Sequence, residues 1–155
     1  MKRIIVLFVV LLILLLGIKL SKDYQEKGTL PFSSKKEVSI KDKTFSVSVA
    51  KTQQEKQTGL SKNTSLSETE GMVFPFEKPD YYLFWMRDMK FPIDIIYARD
   101  NKIVSIFENI QPPLPENKSP DVIKPDEPAN IVVEIHAGLS SKYNFKKGDE
   151  IKLKI

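Results

Sequence analysis

The stretch that most constrains this chain is FWMRDMKFPIDIIY, from Phe84 to Tyr97, where charged side chains stand among aromatic, aliphatic and methionine residues. Alternation puts Trp85 and Arg87 on one face of a first strand and Phe84 and Met86 on the other. Pro92 cannot donate to a ladder, so it restarts the chain as a second strand. In that strand Ile93, Ile95 and Tyr97 share one face, and Asp94 and Ile96 share the opposite one. Both faces are largely apolar, so this strand is expected to be covered on both. Asp94 is then sequestered and needs a partner, because an unpaired buried charge is costly. Arg87, across the expected hairpin, is the candidate.

The formal charge of +4 on 155 residues misleads, because Lys2, Arg3 and Lys19 lie in a first stretch of twenty that holds no acid. Residues 21–155 carry 21 basic and 20 acidic side chains, no footprint for nucleic acid, whose binders concentrate Lys and Arg on one face. With no cysteine there is no disulfide, thiolate metal site, lipoprotein attachment or thiol nucleophile.

Lys2 and Arg3 precede an uncharged run from Ile4 to Ile18, extended to Leu20 if Lys19 snorkels. That length is at the short limit for a membrane span, about 17 residues at the least. The following GIKLSKD lacks the small-residue pattern of a cleavage site, which favours an uncleaved anchor over a signal peptide. Residues 1–20 are therefore read as a membrane anchor with the large carboxy-terminal part outside the cytoplasm. Residues 21–36, polar with Gly28, Pro31, Ser33 and Ser34, read as a tether.

Residues 37–155 are read as a single β-rich domain. Glu37 to Lys41 and Thr44 to Ala50 alternate as a half-buried hairpin, with Phe45, Val47 and Val49 inward. Thr52 and Glu55 have capping-box spacing, opening a helix of about two turns that Gly59 ends. Gly71 to Phe76 reads as a short strand broken by Pro75, Lys102 to Ile110 as a strand after an Asp100–Asn101 turn, and Asn130 to His136 as another. Between them, 111–129 hold six of the ten prolines and few apolar residues, so no core is expected there. One helical turn after Leu139 and a KKGDE turn lead into a closing strand, Ile151 to Ile155. The expectation is a mainly β (β-rich α+β) fold: a small antiparallel barrel-like sheet of six or seven strands with short helices, preceded by one N-terminal membrane helix.

The order of QTGLS at 57–61, GMVFPF at 71–76, FWMRDMKFPIDIIY at 84–97, VEIHAG at 133–138 and KGDEIKL at 147–153 resembles the family named domain of unknown function 192. The resemblance covers roughly Val38 to Ile155 and implies a compact β-rich domain behind an export signal or anchor, with no established activity. The family's pattern usually has lysine or arginine followed by asparagine at the positions of Arg87 and Asp88, so Asp88 departs from it.

Asp94 and Glu134 invite comparison with the two carboxylates of a glycan hydrolase, with Tyr81, Tyr82, Trp85 and Tyr97 available to stack on a sugar ring. Against that, buried acids usually satisfy an arginine or backbone, and aromatic residues usually fill core. Met72, Met86, Met89 and His136 have the ligand chemistry of a Cu(I) site, but methionine is the common filler of apolar cores, and no metal centre is expected. His136 has no G-x-S-x-G serine or cysteine to serve, and neither GxGxxG nor a P-loop occurs, so no cofactor is expected. The leading expectation is a membrane-anchored, extracytoplasmic binding or envelope-maintenance domain. Its concave face, at Trp85, Arg87, Asp94, Glu134 and His136, holds a polar ligand such as a glycan or peptide.

Overall fold

The computed structural model describes residues 36–114 and 122–155; the expected anchor, all but the last residue of the tether, and part of the proline-rich segment lie outside them. The first hairpin forms as the alternation requires. Strands β1 (Glu37–Ile40) and β2 (Lys43–Val49) pair antiparallel, with Phe45, Val47 and Val49 inward. Helix α1 (Gln53–Thr58) opens with a complete capping box, in which Thr52 Oγ1 accepts the Glu55 N–H at 3.2 Å and Glu55 Oε2 accepts the Thr52 N–H at 2.7 Å. Gly59 ends it at φ 50°.

Strand β3 (Glu70–Asp80) runs through Pro75 and is followed by a two-residue strand, β4 (Phe84–Trp85). The central strand β5 (Ile93–Arg99) turns at Asp100 and Asn101, both in the left-handed region, into β6 (Lys102–Ile110). Strand β7 (Val122–Ile123), β8 (Ala129–His136), helix α2 (Leu139–Lys142) and β9 (Ile151–Lys154) complete the order.

Seven strands form one curled sheet in the order β6-β5-β8-β3-β2-β1-β9. Among the described residues its edges meet at one corner, where Lys102 bridges Glu150 and Asn101 O accepts the Ile151 N–H at 2.8 Å. The fold is therefore mainly β, a half-barrel with few short helices. The expectation of an all-antiparallel sheet is corrected: β2 and β3 run parallel, with α1 in the crossover between them. No helix among the described residues is long and apolar enough to cross a membrane.

Each face of the sheet buries an apolar cluster. Ile96, Val133, Ile135, Val73 and Phe45 belong to one, and Ile93, Ile95, Tyr97, Val132, Phe74 and Met86 to the other. Ile95 and Ile96, neighbours on opposite faces of β5, are both fully buried, as two-sided apolarity requires. A fully buried isoleucine contributes about 1.5–3 kcal/mol, so this strand anchors both layers.

Two expectations fail here. Phe84–Trp85 does not form a hairpin with the Ile93 strand; β4 pairs instead with β7, through Phe84 with Ile123 and Trp85 with Val122, while β5 lies between β6 and β8. Asp88 at φ 60° breaks the extended path after Arg87 and turns the chain away. Both asparagine and aspartate tolerate that conformation, which accounts physically for aspartate at this position. The proline-rich segment also reaches the core, since Ile123 is buried and its carbonyl accepts the Tyr97 hydroxyl at 3.3 Å.

Candidate functional site

Asp94 is fully buried, but Arg87 is not its partner. Its Oδ1 accepts the backbone N–H of Asn109 at 2.8 Å and of Gly138 at 2.9 Å, and its Oδ2 accepts that of Ser140 at 2.8 Å. A register shift between Ile93 and Ile95 and the left-handed Asn109 bring the first of these amides into range. Asp94 thus ties the β6 end and the β8–α2 turn to β5. Its expected place in a ligand site is corrected: it has no free face for a ligand.

Asp94 and Glu134 also lie on opposite faces of the sheet. Glu134 stands opposite Ile95 on β5, and Asp94 stands opposite Ile135. Cross-strand partners share a face, so the two carboxylates point apart and cannot flank one glycosidic bond. The expected catalytic pair is not assembled.

Glu134 forms the floor of a pocket of about 310 Å³. Its strand neighbours on that face are Met72 of β3 and Ile95 of β5, both apolar, so the ladder supplies no partner. Its Oε2 is buried without a hydrogen bond. Burial pushes the carboxyl up to about 8, so a proton rather than a counter-charge neutralises it at pH 7. Tyr97, raised by burial and by the charge of Glu134, donates its hydroxyl to Ile123 and not to the acid.

Two glycines permit this placement. A Cβ at Gly71 would lie 2.6 Å from the Glu134 carbonyl oxygen, so only glycine lets β3 approach β8 there. Gly59, at the end of α1, lies over the carboxyl, with its ideal Cβ position 3.8 Å from Oε2. The capped helix therefore brings Lys56 and Gln57 to the wall of the pocket.

The rest of the lining comes from the end of β3 and the segment after it. Phe76 and Tyr82 stack with ring centroids 3.5 Å apart, and Lys56 Nζ lies 4.2 Å from the Phe76 centroid. Arg87 lies 5.1 Å over the Trp85 ring, and both side chains are exposed. The arrangement is a slot of mixed lining, with aromatic rings beside Gln53, Gln57 and Thr58, an unpaired acid and two cations.

Of the expected site residues, the structure brings Trp85, Arg87 and Glu134 together and leaves Asp94 and His136 outside the lining. His136 is half-buried, with Nδ1 3.0 Å from the Ala137 carbonyl. Met72 and Met86 pack in the core, while Met89 lines the pocket, so the four soft ligands do not converge. Among the described residues no group of three or more His, Cys, Asp or Glu could hold a metal ion. Lys56, Gln57, Gly59 and Phe76 were not among the expected site residues. An exposed polar helix carries no sign of what it covers.

A family model labelled DUF192, described as "Uncharacterized ACR", matches residues 36–153. No curated protein matches the chain. A solved structure of a protein of unknown function from Novosphingobium aromaticivorans is 30% identical, covering 79% of this chain and 89% of that one, with a TM-score of 0.65. A second, from Sinorhizobium meliloti and described as a candidate transcription regulator, is 22% identical, covers 76% and 92%, and has a TM-score of 0.67. At that identity the second likeness concerns the fold alone. The family match spans the described domain from its first strand to its last, and the chain belongs to the DUF192 family.

Proposed function

We propose that the protein is a membrane-anchored, outward-facing binding domain that takes a polar ligand, such as a glycan or peptide, in the pocket over Glu134. One observation carries the reading: a buried, unpaired carboxyl ends an aromatic slot. A polar group left without a partner in an apolar cluster costs stability, about 1–3 kcal/mol, unless something else compensates. A ligand hydrogen bond to the Glu134 carboxyl is such a compensation. Arg87 then orients the ligand by a charge-assisted bond from the mouth. The anchor rests on the apolar run from Ile4, and the balanced charge of residues 21–155 favours no nucleic-acid partner.

The hydrolase reading has less support, because among the described residues Glu134 is the one carboxylate lining the pocket. A thermal-shift screen of full-length protein against cell-wall glycan fragments and short peptides tests the proposal. A bound ligand raises the melting temperature. The shift is expected to vanish in Glu134→Ala; a shift unchanged in that variant places binding elsewhere and refutes the site.

A further inference from the structure

We infer that the Glu134 pocket takes a small organic anion with a neutral amide at its inner end, the amide pairing with the Glu134 carboxyl and the anionic group meeting Arg87 and Lys56. This rests on the ligand-binding reading above and narrows it to one ligand chemistry.

Three observations lead there. The floor group is a carboxyl that is protonated near neutral pH, since burial holds it at about 8. A protonated carboxyl offers either an O–H donor or a carbonyl acceptor to the pocket, and an amide, which has both a donor and an acceptor, can meet whichever is presented. The lining also holds four aromatic rings, Phe76, Tyr82, Phe84 and Trp85, which suit a flat or apolar body. Among the described residues the charged lining ones besides Glu134 are Lys56 and Arg87, both cations.

An ammonium group at the floor is the competing chemistry, and it is disfavoured twice. It requires ionised Glu134, only about a tenth of the population at pH 7 for a group one unit above that pH. It must also pass two cations while losing its own hydration. A neutral amide carries neither cost. The pocket volume, about 310 Å³, is at the small end for ligand sites and fits one ring with its two ends, not a long chain.

Trp85 is the only tryptophan and lines the pocket, so its fluorescence reports occupancy directly. Full-length protein is titrated with 4-carbamoylbenzoate, which has an amide, a ring and a carboxylate in line. Benzamide lacks the anion, 4-methylbenzoate lacks the amide, 4-(aminomethyl)benzoate replaces the amide by ammonium, and N-acetylglucosamine represents a neutral glycan unit.

The expected result is at least tenfold tighter binding of 4-carbamoylbenzoate than of benzamide or 4-methylbenzoate. Affinity should fall as pH rises through about 8, when the donor is lost. Glu134→Gln should keep the affinity and lose the pH dependence, because glutamine also offers one donor and one acceptor; Glu134→Leu should lose binding. The double variant Arg87→Gln with Lys56→Gln should bring 4-carbamoylbenzoate to the level of benzamide. The other titratable or charged groups around the acid are Tyr97 from β5, Lys56 from α1, Tyr82 and Arg87 from the segment after β3, and His136 on its own strand face. His136→Gln should leave the pH profile unchanged.

Tighter binding of 4-(aminomethyl)benzoate, rising with pH and lost in Glu134→Gln, overturns the amide inference while keeping the binding site. A response to N-acetylglucosamine alone does the same. No response to any probe, by fluorescence or melting temperature, overturns both the inference and the reading beneath it.

Discussion

Ile95 stands directly across from Glu134 in the β5–β8 ladder, so Asp94, one residue earlier, points to the other side of the sheet. That single parity separates two buried acids into two roles. Asp94 has three backbone donors and closes the fold; Glu134 has an Oε2 without a hydrogen bond and lines a pocket.

Asp94→Ala should therefore destabilise the domain by roughly 3–5 kcal/mol, since three backbone amides, that of Ser140 buried, lose their acceptor together. Arg87→Ala should stay within about 0.5 kcal/mol of wild type, as an exposed change usually does. Denaturant melts of both variants check this. Equal losses would restore the Arg87–Asp94 pairing that the geometry excludes.

Legibility followed the physics of each signal. The β1–β2 hairpin was readable because period-two alternation is local, and α1 because Thr52 and Glu55 cap each other within one turn. The burial of Asp94 was readable from Ile93, Ile95 and Ile96 around it, but its partners were not, because Asn109, Gly138 and Ser140 act through backbone amides that carry no side-chain signature. The two-residue pairing of Phe84–Trp85 with Val122–Ile123 was too short to leave a pattern. For the same reason Ile123 looked like loop. Trp85, Arg87 and Glu134 stood out as unusual residues in their strands, whereas the pocket they share depends on where α1 crosses, which periodicity does not encode.

Gly71→Ala should be costly for a steric reason. The added Cβ would stand 2.6 Å from the Glu134 carbonyl oxygen, and backbone cannot swing away as a flexible side chain does. A loss of about 3 kcal/mol, the upper end for overpacking, is expected in thermal or denaturant melts. A loss near zero would mean that β3 and β8 do not approach as described.

Glu134 also sets a pH dependence. Its carboxyl lies at about 8 when folded against an ordinary 4.5, so the folded state holds the proton more tightly. Between those values the unfolded state binds fewer protons, and stability falls as pH rises. Glu134→Gln removes this penalty. Its stability relative to wild type should grow by about 3–5 kcal/mol between pH 4 and pH 8.5 and then level off, which melts across that range will follow.

The membrane assignment is tested by fractionation. Full-length protein should sediment with membranes, resist high salt and be released by detergent, because the run from Ile4 lacks a cleavage pattern. A soluble form beginning near Ser21 would refute the anchor.

The central claim is that the pocket floor is a protonated, unpaired acid awaiting a ligand. Carbon-13 NMR of protein labelled at the glutamate side chains, with Glu134→Gln to assign the resonance, measures its titration directly. A midpoint near 8, moving upward when 4-carbamoylbenzoate binds the protonated form, is the expected result. A midpoint near 4.5, unmoved by the ligand, would contradict it by showing a solvated or already paired carboxylate.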